Sequence, residues 1–229
     1  QLFIDASGLG AVLRHACPAL DEKCTAVKPS NICVAAQAVY EIDDIHGARQ
    51  FLGRYRIESG EVLGMVGLEG GFSLLRPEVD LNHRRFSILT GSIANRAYRS
   101  GKRILDDFVA EEPWIGERIF GGHGPIPLRR PYAHLVAPGL ALLGDSAGQV
   151  FSSHGSGIGI GLIAARILAD VVGTVYGAGG DIGALESLWS YPKRFHREYG
   201  GLLCTSDVLR RFSQSLTLED TQSLFDHGI

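Results

Sequence analysis

The residues of this chain with the most to offer chemically lie at 140–172, which read LALLGDSAGQVFSSHGSGIGIGLIAARILADVV. A short apolar run, Leu140–Leu143, ends in Gly144-Asp145. A Gly/Ser-rich turn follows, and then an apolar segment several helical turns long. A lone acid at the end of a buried strand, followed by a helix entered through glycines, suits a ligand rich in hydroxyls and negative charge. The carboxylate accepts hydrogen bonds from hydroxyls, while the helix N-terminus offers unpaired N–H groups and a positive dipole end.

The same residues admit other readings. Gly144-Asp145-Ser146-Ala147-Gly148 matches the G-x-S-x-G nucleophile elbow, with Ser146 as a hydrolase nucleophile and Asp207 and His227 following in the order a triad would need. An elbow requires its helix to begin almost at the serine. Here Phe151–Gly157 intervenes, its serines and glycines are poor helix formers, and steady apolar patterning starts only at Ile158. The glycines at 155, 157, 159 and 161 do not make a G-x-G-x-x-G fingerprint, because Ile160 and Leu162 stand where the third glycine belongs. A P-loop fails at Gly101-Lys102, which is followed by Arg103. Glycines near the helix start serve ligand approach, and later ones serve close packing.

At these residues the sequence resembles the second flavin-binding motif of FAD-dependent oxidoreductases of the geranylgeranyl reductase and aromatic hydroxylase type. The resemblance implies that Asp145, with Gly144, contacts the ribityl and diphosphate region of FAD. It places the backbone of Ser146 and Ala147 along the diphosphate. Gly155, Ser156, Gly157 and Ile158 would then present N–H groups to the pyrimidine edge of the isoalloxazine. Ser152 departs from the family pattern, which has a proline there. Ser153 and His154 fill positions that face the reactive side of the flavin in relatives, so His154 is the candidate proton donor. At the other end, Gln1–Gly8 reads as a strand running into a small-residue turn. It resembles the turn that passes the diphosphate in these flavoproteins, with Gly8 allowing backbone approach.

The family's G-x-G-x-x-G unit with its ribose-binding acid would precede this point. The chain is therefore expected to be the C-terminal part of a longer flavoprotein. The expected fold class is α/β (α+β): an incomplete FAD-binding Rossmann-like domain, an inserted antiparallel β-sheet substrate domain, and C-terminal helices. The expected division is 1–31 with 133–180 for cofactor binding, 32–132 for the substrate-side sheet, and 181–229 for a helical segment.

Within the insertion, Ile32–Ile42, Arg49–Arg56, Leu63–Gly67, Gly71–Leu75 and Arg84–Leu89 are short runs between turn residues, which argues for antiparallel strands. Ser92–Glu111 reads as a helix with Ile93, Ala97, Ile104, Leu105 and Phe108 as its apolar positions, and Ile119–Leu128 as a strand. Phe72, Phe86, Trp114 and Phe120 are aromatic enough to line a pocket, although each equally suits a core. Further on, Asp181 is placed to cap a helix over Ile182–Trp189. Pro192 suits the first turn of another, with Phe195, Tyr199, Leu202 and Leu203 on one face.

Composition narrows the classes. The net charge of −3 is small and unpatterned, which argues against nucleic acid as a partner. The segment 155–176 is apolar but carries Arg166 and Asp170, so it is expected to be a buried helix rather than a membrane span. Cys17, Cys24, Cys33 and Cys204 fit no zinc spacing and read as reduced thiols of a cytoplasmic protein; no metal is expected. The leading expectation is an FAD-dependent oxidoreductase acting on an apolar small molecule by double-bond reduction or hydroxylation. The resemblance implies NAD(P)H, or a ferredoxin-like protein for a reductase, as electron donor, and leaves a peripheral lipid contact open. A serine hydrolase built on Ser146 and an inactive fragment are the alternatives.

Overall fold

The computed structural model describes residues 1–69, 73–93 and 98–228. The chain opens with β1 (Phe3–Asp5), α1 (Val12–His15) and α2 (Pro18–Asp21), then β2 (Ile32–Ile42) and α3 (Ile45–Tyr55). Next come β3 (Met65–Val66), β4 (Ser73–Asp80), β5 (Arg85–Ile93), α4 (Gly101–Glu111) and β6 (Ile115–Pro127). The remainder holds β7 (Val136–Ala137), β8 (Leu140–Leu142) and the long α5 (Ile158–Gly177). It ends with α6 (Leu185–Leu188), α7 (Ser190–Phe195), α8 (Gly201–Ser215) and α9 (Leu218–Asp226).

These elements form two compact units, 1–31 with 126–211, and 32–125 with 212–229. The second unit holds the antiparallel sheet, and residues 181–211 fall in the first unit and 212–229 in the second.

The first unit is built on a three-stranded sheet of order β1-β8-β7, in which β1 and β8 run parallel and β7 is antiparallel to β8. Asp5 pairs in register with Leu142, so the loops after both strands leave the same end of the sheet. Parallel strands that end together are where α/β proteins place ligands. The interior of the sheet is Leu140, Ala141 and Leu142, packed with Ile160, Ala164, Ile167 and Leu168 of α5 and with Tyr191, Phe195 and Leu203. Each large apolar side chain buried this way contributes about 1.5–3 kcal/mol.

The second unit is a five-stranded antiparallel sheet of order β3-β4-β5-β2-β6. Alternate residues of β2 (Ala36, Ala38, Tyr40 and Ile42) point into a core with Val79, Phe86, Ile88 and the buried faces of α3 and α4. Phe86 and Trp114 meet edge-to-face at 5.1 Å inside this core. Both are therefore packing residues. Phe120 lies exposed on β6, and Phe72, like Gly70 and Gly71, falls outside the described residues.

Four expected elements differ. Arg49–Arg56 is not a strand but part of α3, because Asp44 is an N-cap that accepts from the His46 N–H at 2.8 Å. Ala48, Phe51 and Leu52 then recur at helical spacing on the buried face. The helix expected from Ser92 begins at Gly101, because Ser92 and Ile93 complete β5; Ala97 lies outside the described residues. Asp181 forms a turn, accepting from the Gly183 N–H at 2.8 Å, and helix α6 starts later, at Leu185. Leu202 is 55% exposed while Phe195 and Leu203 are buried. The helical run passes through a π-helical stretch, His196–Gly200, whose wider turn changes the register.

The segment expected to be a buried helix buries one face only. Over Ile158–Gly177, Ile160, Ala164, Ile167, Leu168 and Val171 are covered, while Ile158 and Leu162 are exposed. By length and composition alone this 20-residue helix is apolar enough to cross a membrane.

Candidate functional site

The site begins with the loop after β8. Leu143 is extended, and Gly144–Ala147 forms a 3-10 turn closed by Gly148 in the left-handed region, with φ 69°. No α-helix starts at Ser146; α5 begins at Ile158, as the sequence pattern required. Ser146 is buried, and its Oγ lies 2.5 Å from the carbonyl oxygen of Asp5 and 2.9 Å from that of Leu143. It ties the two strand ends together. Among the described residues no histidine reaches it. Asp207 is engaged by Arg210 and Arg211, and the His227 ring bonds to the Ser223 carbonyl. The nucleophile reading of Ser146 is therefore corrected: a hydroxyl held under a backbone carbonyl cannot act as an exposed elbow serine.

The loop after β1 is organised by Asp5, which is 1% exposed. Its Oδ1 accepts from the Ser7 N–H at 3.0 Å and the Ser7 hydroxyl at 2.6 Å, and its Oδ2 accepts from the Arg14 N–H at 2.8 Å. Burial pushes this carboxyl up, but the Ser7 hydroxyl and the backbone N–H groups outweigh it and hold Asp5 below the ordinary carboxylate range. The turn Gly8–Gly10 sits inside this clasp, and Gly8 adopts φ +71° with open space where a side chain would project. Arg14 then reaches back, its guanidinium donating to the Ser146 carbonyl at 3.4 Å and lying over the Tyr132 ring at 5.0 Å.

A second buried network fixes Gly144. Its N–H donates to Gln149 Oε1 at 2.7 Å; Gln149 Nε2 donates to the Tyr191 hydroxyl at 2.7 Å, which donates to the Leu142 carbonyl at 2.9 Å. Asp5, Arg14, Gln149 and Tyr191 were not singled out from the sequence. Their partners lie up to 141 residues away, and no local spacing announces them.

Asp145 is different in kind. Its carboxylate has no hydrogen-bond or ion-pair partner among the described residues, and burial alone raises its pKa above the ordinary carboxylate value. Its Oδ1 lies 3.1 Å from where a Cβ on Gly157 would stand. Gly157 is the N-cap of α5 and brings no side chain to close the helix end. Gly161, one turn on, brings α5 within van der Waals contact of Gly144, since a Cβ there would sit 3.9 Å from the Gly144 Cα. Gly144, Asp145 and Gly157 are thus brought together at an uncapped helix N-terminus, with Ile158 exposed as its first residue. Ala147 contributes backbone only, because its side chain is fully buried.

The loop between holds the remaining candidates. Phe151 and Ser156 pair across it, and Gly155 turns it with φ +78°. His154 is exposed, with its ring stacked on Phe151 at 5.5 Å. Among the described residues, no hydrogen bond or ion pair joins it to Asp145 or to Gly8.

No family model matches the chain. The digeranylgeranylglycerophospholipid reductase of Methanothrix thermoacetophila is 30% identical over 224 residues, covering 90% of this chain and 49% of that protein. Among solved structures, a geranylgeranyl bacteriochlorophyll reductase-like protein of Thermoplasma acidophilum superposes with a TM-score of 0.74 at 16% identity. That match covers 98% of this chain and 53% of the other. A Klebsiella pneumoniae HpxO variant, complexed with FAD, gives a TM-score of 0.58 at 17% identity over 99% of this chain and 56% of its own. The chain spans about half the length of these relatives.

Proposed function

The chain belongs, as a distant homologue, to the geranylgeranyl reductase and FAD-dependent monooxygenase flavoproteins, and on that premise we propose that it carries one part of the cofactor site of an FAD-dependent oxidoreductase. The observation that carries this reading is Asp145: a half-buried carboxylate without a partner among the described residues, set against the open N-terminus of α5. A burial cost of this kind is offset when hydroxyl donors arrive. The residues present fit the group. Asp145 would accept from ribityl hydroxyls, the backbone of 144–147 would lie along the diphosphate, and the N–H groups at 155–158 would face the isoalloxazine edge.

FAD, when bound, supplies two-electron redox chemistry. The protein's own part is electrostatic and positional. The positive end of the α5 dipole favours negative charge at the flavin edge, and the clasp of Asp5, Ser7 and Arg14 keeps the first turn in place. His154 is the exposed group in the loop able to hold a proton for the reacting carbon or oxygen. The substrate we propose is an apolar small molecule, reduced at a carbon–carbon double bond or hydroxylated, with NAD(P)H or a ferredoxin-like protein as donor. An isoprenoid lipid is favoured by the name of the Methanothrix relative.

The test is the visible spectrum of the purified chain after incubation with FAD and gel filtration. Retained flavin bands are expected. Asp145→Ala should weaken FAD binding about tenfold to a hundredfold, the range for losing hydrogen bonds to a charged acceptor. A colourless wild-type chain, or binding indifferent to Asp145, would count against the reading.

A further inference from the structure

We propose that Ser206, a buried serine on α8, is a positioning residue that sets the loop Phe151–Gly157 and, through it, the N-terminus of α5; the inference rests on the FAD reading above. The loop closes on itself: Phe151 N–H donates to the Ser156 carbonyl at 2.9 Å, and the N–H groups of Gly155 and His154 donate to the Phe151 carbonyl at 2.7 and 3.2 Å. Those bonds give the loop its shape, and Phe151 packs on the core. Ser206 supplies a hydrogen-bonded attachment. Its Oγ accepts from the Ser153 N–H at 3.0 Å and lies 3.0 Å from the Ser153 hydroxyl.

The default for a hydroxyl inside a helix is to bond back to the carbonyl one turn earlier. Thr205, the neighbour on the same helix, does this, donating to the Gly201 carbonyl at 3.0 Å. Ser206, only 5% exposed, bonds across to the loop instead. The helix beneath it is pinned one turn further on. Arg210 donates to Asp207 Oδ1 at 2.6 Å, Asn31 Oδ1 at 3.1 Å and the Ser30 carbonyl at 3.3 Å. Beside it in the loop, Ser152 is buried with no partner for its Oγ among the described residues, a desolvation cost that the loop's attachment helps to offset. From Ser153 the chain runs four residues to Gly157, so a shift of the loop is passed to the N–H groups opening α5. Ser206 touches no cofactor itself.

Amide exchange of the whole chain, with flavin binding in parallel, tests this. Ser206→Ala should speed exchange at the Ser153 amide about tenfold, the equivalent of one net hydrogen bond. Ser153→Ala, which keeps the N–H contact, should have a smaller effect, and Ser206→Thr should restore protection. In Ser206→Ala the visible band of bound FAD should shift and its affinity fall, while the global melting transition stays cooperative. Should Ser206→Ala fail to fold, Ser153→Ala against Ser206→Thr still ranks the two contacts. Unchanged Ser153 exchange in Ser206→Ala would overturn the proposal, as would faster exchange with flavin spectrum and affinity untouched. A wild-type chain that takes up no FAD overturns the cofactor reading itself, and the exchange ranking then decides whether Ser206 sets the loop.

Discussion

At the scale of single residues, Asp145 and Asp5 are a contrast in what burial does to a carboxylate. Asp5 has Ser7 and Arg14 donating to it, is held below the ordinary range, and so stabilises the fold above that range, losing its contribution as pH falls through its depressed pKa. Asp145 has burial without donors among the described residues and a raised pKa. Its ionisation costs folding free energy that sets in as pH rises through the carboxylate range and is complete at neutral pH. Asp145→Asn is therefore expected to raise the melting temperature at pH 7, with the gain vanishing below the ordinary carboxylate pKa. A melting temperature that falls at pH 7 would mean that the carboxylate has a protein partner after all. Tyr191→Phe should act in the opposite direction. It strands Gln149 Nε2 and the Leu142 carbonyl, costing about 1–3 kcal/mol in a denaturant titration. The acid and its glycines were legible in sequence because the motif is local. Asp5, Arg14, Gln149 and Tyr191 were not, because their roles arise from contacts that only the folded chain creates.

Among the elements, glycine carried information the sequence pattern did not resolve. In sequence, Gly101 falls inside the helix expected over Ser92–Glu111. It is instead the first residue of α4, capped by the Ser100 hydroxyl, which accepts from the Arg103 N–H at 3.2 Å. A Cβ there would stand 2.3 Å from the Val34 carbonyl oxygen and 2.9 Å from the Gly91 Cα, both backbone of the sheet. Gly101→Ala is expected to destabilise by about 1–3 kcal/mol through overpacking, measured by urea unfolding. An unchanged midpoint would show that α4 can lift off the sheet at no cost. The start of α5 at Ile158 is legible in the sequence because eleven residues, the last seven of them Ser/Gly-rich, separate it from Ser146 and no apolar period begins sooner. Strand-like composition at Arg49–Arg56 misled, because Asp43-Asp44 serves a turn and a helix cap equally well in one dimension. Only the burial of Ala48, Phe51 and Leu52 on one face distinguishes them.

For the molecule as a whole, the antiparallel sheet is legible because short runs alternate with turn residues, whereas its place between two parts of a cofactor-binding unit is implied by the resemblance. The helix α8 carries no break between residues 211 and 212, where the two compact units divide. The chain spans about half of its relatives, and the first unit presents Phe3 and Ile4 on the outer strand and Ile158 and Leu162 on α5 to solvent. The cofactor account concerns the end of that sheet where the loops after β1 and β8 meet the start of α5. Amide exchange of the chain with and without FAD measures it most directly. The account predicts FAD-dependent protection at 144–149 and 155–161, abolished by Asp145→Ala. Protection confined to 32–125, or protection at these loops that survives the loss of Asp145, would contradict it.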